Sequence, residues 1–293
     1  MDTLHSIILG AIQGITEFVP ISSSAHLVLF PYLFNWDYNG LQFDVALHFG
    51  TFLAVIAFFW QDWVVIIRNA ILPSSNNQTL NPKQIQNSND PKSKSQNALC
   101  PMPNAQPDRY PKNILWQILV ASIPAFVAGY FLEPAVEKYL HSPLLLISNL
   151  VIFGLLLWAT EYISSNMLKN SKIGYSESFI IGCAQAIALI PGVSRSGITM
   201  TAAKLVGFSK ENAARFSFIL GTPAVLGTFV YHIPALNFSE ISISFWMGVI
   251  SSTIFGFLAI KYLIQYLKKG SFAVFAVYRV ILAAVVLIFY LYK

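Results

Sequence analysis

Charge is what this chain has least of. Only 11% of its 293 residues are Asp, Glu, Lys or Arg, against 55% hydrophobic. Soluble domains carry roughly 25% charged residues, so a water-soluble globule is excluded and an integral membrane protein is indicated. Cysteine is nearly absent. Cys100 and Cys183 lie far apart in unlike surroundings, which excludes both a disulfide framework and a cysteine metal cage. No basic stretch precedes the first apolar run, which carries Asp2 and His5 instead, so no cleaved signal peptide is expected. The net charge of +5 sits in a few loops. That is the pattern of cytoplasmic loops, and it implies no nucleic-acid partner.

What fills the chain is apolar runs. Residues 4–19 form a short one, interrupted by Gln13, Glu17 and Pro20. It falls short of the ~20 residues of a full span and reads as a re-entrant half-helix. ISSSAH (21–26) follows, then a second short apolar run. Full spans are expected near 43–67, 114–132, 143–162, 211–231, 241–264 and 272–291. A second half-helix, SFIIGCAQAIALI (178–190), leads to a break at Pro191–Thr199 and a return to about Val206. Residues 71–113 are rich in Asn, Pro, Ser, Gln and Lys, and are expected to form a disordered loop without catalytic residues.

The two breaks are related. GAIQGI (10–15) matches GCAQAI (182–187), Pro20 matches Pro191, Ser23 matches Ser194, and Gly50-Thr51 matches Gly221-Thr222. The expected fold is an all-α polytopic membrane protein with an inverted-topology repeat, two re-entrant helix hairpins plus six transmembrane helices. The repeat units are 1–162 and 163–293. Lys83, Lys92, Lys94, Arg109, Lys112, Lys169, Lys172, Lys204, Lys210, Lys268 and Lys269 then share one side, which the positive-inside rule makes cytoplasmic. Both termini and the mouth of the first hairpin face outward.

The chemistry-bearing residues gather at the breaks. An arginine at bilayer depth costs at least ~2.5–3.5 kcal/mol and marks a functional site. Pro191 and Gly192 end one helix, and Ser194 can cap the next, whose first N–H groups form an anion site. Arg195 and Thr199 then share a face, with Ser196 between them. A guanidinium fork, hydroxyls and bare N–H groups suit a phosphate. In the first break, Gln13 and Glu17 share a helix face, and Ser22, Ser23, Ser24 and His26 follow. His26 lies one turn beyond Ser23 and can approach its hydroxyl. A hydroxyl, a histidine, a carboxylate and an arginine are the parts of a phosphoryl-transfer site. Glu17, with Gln13, can accept a proton or hold a divalent cation. Arg279, inside the last span, is read as a partner for an acid or for a second phosphate. Asp44, His48 and Glu161 are read as structural.

QGITEFVPISSSAH (13–26) and PGVSRSGIT (191–199) resemble the two signature motifs of the bacterial undecaprenyl-diphosphate phosphatases, the bacitracin-resistance family. The resemblance covers essentially the whole chain, including Tyr278-Arg279. It implies hydrolysis of undecaprenyl diphosphate to undecaprenyl phosphate, the recycled lipid carrier of cell-wall synthesis, in the bacterial plasma membrane. It places the family's serine on Ser23, its histidine on His26 and its phosphate-binding arginine on Arg195, with Ser194, Ser196 and Thr199 in the same motif. Which of Ser23 and His26 attacks phosphorus stays open at this point. The resemblance also implies a divalent cation, Mg2+ or Ca2+, at the motif that falls on Gln13 and Glu17. Gln13 is the form of that motif without a leading carboxylate, which leaves Glu17 as its one acid. The sequence gives no oligomeric state, and a homodimer is compatible with it. A carrier-lipid flippase is the rival architecture. The acid-phosphatase-like lipid phosphatases are disfavoured, because no histidine follows Ser194-Arg195.

The expected topology is tested by labelling Ser75→Cys and Ser239→Cys from one side of the membrane. The two should report opposite faces, and reaction on the same face rejects the six-span arrangement.

Overall fold

The computed structural model describes residues 2–36, 40–71, 110–139, 142–163, 174–235 and 242–292. Most of the expected polar loop, and Lys83, Lys92, Lys94, Arg109, Lys169 and Lys172 with it, lie outside the described residues. Among the described residues the regular structure is helical. In chain order the α-helices are α1 (Thr3–Phe18), α2 (Ser23–Phe34), α3 (Gly40–Ile71), α4 (Ile114–Tyr139), α5 (Pro143–Ile163), α6 (Tyr175–Ile187), α7 (Arg195–Leu205), α8 (Lys210–His232), α9 (Ile243–Leu267) and α10 (Ala273–Leu291). Six of them, α3, α4, α5, α8, α9 and α10, are long and apolar enough to cross a membrane. These are the six spans read from the sequence.

The other four are too short. The 16 residues of α1 rise about 24 Å, less than the ~30 Å of hydrocarbon in a bilayer. They pair in sequence, α1 with α2 and α6 with α7, across the two polar breaks. Each break turns on a serine in an unusual conformation: Ser22 at φ 73°, ψ 97° and Ser194 at φ 71°, ψ 112°. In each, that serine also meets the hydroxyl two residues on, Ser22 with Ser24 at 3.2 Å and Ser194 with Ser196 at 3.3 Å. The local geometry therefore aligns Ser22, not Ser23, with Ser194, one residue away from the register that the prolines suggest. This is the register that GAIQGI and GCAQAI already had.

Small residues let the short helices enter the bundle. A Cβ on Gly14 of α1 would lie 2.6 Å from the carbonyl oxygen of Ser252 and 2.7 Å from the nitrogen of Gly256, both on α9. The closeness is converted into a hydrogen bond, Ser251 donating to the carbonyl of Ile7 on α1 at 2.7 Å, and α9 grips α3 the same way, Ser252 donating to Leu47 at 2.8 Å and Thr253 to Gly50 at 3.0 Å. Small-residue contact plus hydroxyl donation is how helices associate where lipid removes the hydrophobic drive. At the lysine-bearing end, Glu161 of α5 accepts from Lys210 at 3.1 Å, Ser271 at 2.6 Å and the backbone of Phe272 at 2.9 Å. That bears out the structural reading of Glu161, as a tie between the ends of α5, α8 and α10.

Gly14→Ala should push α1 off α9 and cost about 1–3 kcal/mol. Thermal unfolding in detergent reads this as a lower midpoint, and an unchanged midpoint would show that the α1–α9 approach is not close-packed.

Candidate active site

The two breaks meet. The Arg195 guanidinium, at the first residue of α7, forms an ion pair with Oε1 of Glu17 in the last turn of α1. Its other arm donates to the carbonyl of Gly221 on α8 at 3.0 Å. The second carboxylate oxygen, Oε2, accepts from the Ser23 hydroxyl at 2.7 Å and from Gln13 Nε2 at 3.1 Å. His48 stands beside it, Nε2 3.8 Å from Oε2, and its Nδ1–H donates to the carbonyl of Asp44 at 2.8 Å. Glu17 is only 7% exposed, and a carboxylate so buried needs partners of this kind.

This cluster forms one wall of a cavity of about 650 Å³. Glu17, Ser22, Ser23, Ser24, His48, Ser194 and Arg195 line its polar part. Ala125, Phe126 and Tyr130 of α4, Leu189 and Ile190, and Val225 and Val230 of α8 line an apolar part. The start of α2 adds to the polar part. No side chain caps it, so its first N–H groups are open to an anion. The start of α7 differs, because Ser194 Oγ accepts from Gly197 N at 3.3 Å. The guanidinium of Arg195 has more N–H groups than its two contacts use, and these remain for a ligand.

Of the residues singled out by sequence, Glu17, Ser22, Ser23, Ser194 and Arg195 are brought to this cavity, and five are not. His26 is 2% exposed. Its Nδ1–H donates to the carbonyl of Ser22 at 2.7 Å, and its Nε2 faces the Tyr278 hydroxyl at 2.6 Å. It holds the turn of the first break and does not face the Ser23 hydroxyl as expected. Arg279 also departs from the expected phosphate ligand. It is fully buried and donates to the carbonyls of Leu150 at 3.0 Å, Asn149 at 3.1 Å, Gly192 at 2.8 Å and Val193 at 3.1 Å. Those carbonyls belong to α5 and to the second break. Thr199 is buried, donating to the carbonyl of Arg195 at 2.7 Å and meeting Ser217. Ser196 is 4% exposed and turns toward the carbonyl of Val19 in the first break, at 3.5 Å. Gln13 is fully buried behind Glu17.

Sequence reasoning missed several cavity residues, His48 and Gln185 among them. His48 was set aside as structural, though a histidine in an apolar run was its signal. Gln185 was noticed only as part of a repeated motif.

A divalent cation has a partial donor set. Glu17 is the one acid among the described lining residues, and Gln13 Oε1 has no hydrogen-bond partner. No group of three or more His, Cys, Asp or Glu converges among the described residues. The residues fit a cation shared with a ligand's own oxygens, not one held by protein alone.

A chamber with an arginine in its polar part and a largely apolar remainder is suited to an anion carrying an apolar tail. The fold and site thus define a multi-pass membrane protein with a chamber that an arginine lines. A family model described as bacitracin resistance protein BacA matches residues 6–285, and the chain belongs to that family. It is 38% identical over 286 residues to a Moorella thermoacetica protein named undecaprenyl-diphosphatase, covering 98% of this chain and 97% of the relative. It is 40% identical over 297 residues to a Caldicellulosiruptor bescii protein of the same name, covering 100% and 99%. A Pelotomaculum thermopropionicum protein of that name is 37% identical over 288 residues, covering 98% and 97%. The chain is accordingly a multi-pass bacterial membrane protein.

Lysine has one compact ammonium and cannot span four carbonyls. Arg279→Lys should therefore destabilise the protein by about 1–3 kcal/mol or more, the cost of each buried acceptor left unsatisfied. Denaturant or thermal unfolding in detergent checks this. Wild-type stability in Arg279→Lys would mean the clamp does not hold the break.

Proposed function

We propose that this protein hydrolyses undecaprenyl diphosphate to undecaprenyl phosphate and inorganic phosphate, and so recycles the lipid carrier of cell-wall synthesis. Release of the carrier from the diphosphate form also accounts for the family's tie to bacitracin resistance. The observation that carries the reading is the Ser23 hydroxyl at 2.7 Å from a carboxylate that Arg195 holds in place. A nucleophile within hydrogen-bond reach of its base, beside a cationic fork, is the arrangement phosphoryl transfer needs. The names of the full-length relatives point the same way.

The terminal phosphate rests against Arg195, the Ser194 hydroxyl and the open N–H groups at the start of α2. Ser23 Oγ attacks the terminal phosphorus while its proton passes to Glu17. The bond from that phosphorus to the bridging oxygen breaks, and the bridging oxygen leaves with the lipid phosphate. Water then attacks the phosphoserine, giving a proton to His48, and the Ser23 oxygen leaves and regains its proton from Glu17. Arg195 stabilises charge on the equatorial oxygens in both steps. His26, through the Ser22 carbonyl, positions the turn that presents Ser23. Glu17, with Gln13 behind it, would hold a divalent cation, which would supply neutralisation of phosphate charge.

The finer architecture belongs to the same reading. Each unit, 1–162 and 163–293, is a re-entrant helix pair followed by three spans, and three crossings invert the second unit relative to the first. The shared geometry of Ser22 and Ser194 supports this. The chamber opens outward. Its walls come from the C-terminal halves of α4 and α8, whereas Lys112 and Lys210 mark the starts of those helices, and lysines mark the cytoplasmic side. A homodimer remains part of the proposal. A flippase would need Arg195 for binding but would have no use for the Ser23–Glu17 contact.

Phosphate release from undecaprenyl diphosphate by purified protein tests the function. Removing an oxyanion donor costs about 10²–10³ in kcat. Arg195→Ala should therefore fall by at least that much, with Glu17→Ala and Ser23→Ala also severely impaired and EDTA suppressing the wild type. A wild type that binds the lipid yet releases no phosphate would point to transport. Full turnover by Ser23→Ala would remove it from the chemistry.

A further inference from the structure

The amide of Gln185 is the unexplained polar group of the chamber. Gln185 is 3% exposed and lines the cavity, yet neither Nε2 nor Oε1 has a hydrogen-bond partner in the protein. A buried amide left without partners is costly, and such groups in folded proteins call for an explanation.

Comparison with Gln13 shows why its partner is missing. The two glutamines hold the same place in GAIQGI and GCAQAI. Four residues after Gln13 stands Glu17, and the Gln13 amide donates to it at 3.1 Å. Four residues after Gln185 stands Leu189, which is itself part of the cavity wall. Position i+4 is the helix neighbour that satisfies such an amide. Leu189, just past the end of α6, is hydrocarbon, so Gln185 keeps its hydrogen-bonding capacity for what enters the cavity.

We infer that Gln185 binds the lipid-proximal phosphate of the substrate, the one that stays with the lipid. The inference rests on the phosphatase reading above. The terminal phosphate is committed to Ser23, Glu17 and Arg195. Gln185 lies in the last turn of α6, just before the chain enters the apolar wall at Ala188 and Leu189. The junction between a polar head and its chain belongs at such a place. Nε2–H donates to a phosphate oxygen, and Oε1 accepts from a protonated phosphate oxygen or from water. The leaving phosphate gains charge as the bridging bond breaks, so the same donor also serves the transition state.

The test compares Gln185→Met and Gln185→Glu with wild type in detergent. Thermal unfolding is followed alone, with undecaprenyl phosphate and with a non-hydrolysable methylene analogue of undecaprenyl diphosphate. Inhibition of turnover by inorganic phosphate reports the terminal-phosphate site separately. Without lipid, Gln185→Met should unfold no lower than wild type, since no protein hydrogen bond is lost. Its affinity for both lipids should fall about tenfold or more, the scale of a hydrogen bond to a charged group. Inhibition by inorganic phosphate should stay within about twofold, because that donor set is untouched. Gln185→Glu should bind the lipids more weakly still, since it sets a carboxylate against phosphate.

Unchanged lipid affinity in Gln185→Met overturns the inference. So does an equal loss for inorganic phosphate, which would place the amide at the terminal phosphate, or lower stability without lipid, which would make it structural. If wild type binds both lipids but releases no phosphate, the phosphatase reading fails, while the lipid-binding ratios still decide the role of Gln185.

Discussion

The ion pair between Glu17 and Arg195 is the constraint on which the rest depends. Either charge alone at this depth would be expensive, and losing one partner leaves the other buried and uncompensated. Their positions are 178 residues apart in sequence, so the pair forms only when both breaks are built and brought together. It does more than offset burial. Holding Arg195 on one carboxylate oxygen leaves the other oxygen for Ser23, and sharing the fork with the Gly221 carbonyl leaves further N–H groups facing the chamber. The contact that makes the buried charges tolerable also sets a hydroxyl, a carboxylate and a guanidinium in register, the groups the proposed mechanism uses as nucleophile, base and anion donor.

The breaks that supply these groups carry strain of their own. Ser22 and Ser194 both adopt positive φ, a conformation costing of order 1–3 kcal/mol in a residue other than glycine. Consecutive residues of α10 help hold each in place. Tyr278 meets His26, whose Nδ1–H grips the carbonyl of Ser22. Arg279 grips the carbonyls of Gly192 and Val193 next to Ser194. Gly192 shows how little room remains there: φ is +87°, and a Cβ would lie 2.8 Å from the Leu146 carbonyl oxygen. A span that lines none of the chamber thus braces both of its turns. The expense of burying a guanidinium is offset by four carbonyls that would otherwise be poorly satisfied.

The sequence made the six spans, both breaks and the residues at their tips legible, because hydropathy, proline and charge act locally and leave a local trace. Glu17, Ser23 and Arg195 stood out as costly residues in an apolar context, and the structure brings them into contact. The errors share a different origin. Arg279 and His26 are as conspicuous as Arg195, but their partners are mostly backbone carbonyls, which every residue has and no sequence reveals. Thr199 shares the motif of Arg195, yet its hydroxyl turns back along its own helix to the Arg195 carbonyl. His48 entered the site through the approach of α3 to α1; a histidine in an apolar run marks it as unusual but does not say which helix it meets. The one-residue error in aligning the breaks arose because the prolines mark where a helix ends, whereas the strained serine marks where the next begins. The structure shows that the number of residues between those points differs in the two units.

Corrected for that residue, the alignment exposes how two similar breaks divide the chemistry. Each has a glutamine in its first short helix, a serine at positive φ, and a second short helix beginning at the next residue. That next residue is Ser23 in one unit and Arg195 in the other. One helix start therefore presents a hydroxyl and the other a guanidinium, each from the same backbone geometry. The position one turn after the glutamine is Glu17 in the first unit and Leu189 in the second. An acid there ties up the first glutamine and accepts a hydrogen bond from the serine, whose proton it receives in the proposed mechanism. A leucine there frees the second glutamine and gives hydrocarbon to the chamber wall. A site made from two identical breaks would face two like charges, or two hydroxyls with no cation between them. Divergence at these two positions turns a repeated turn into opposite halves of one site.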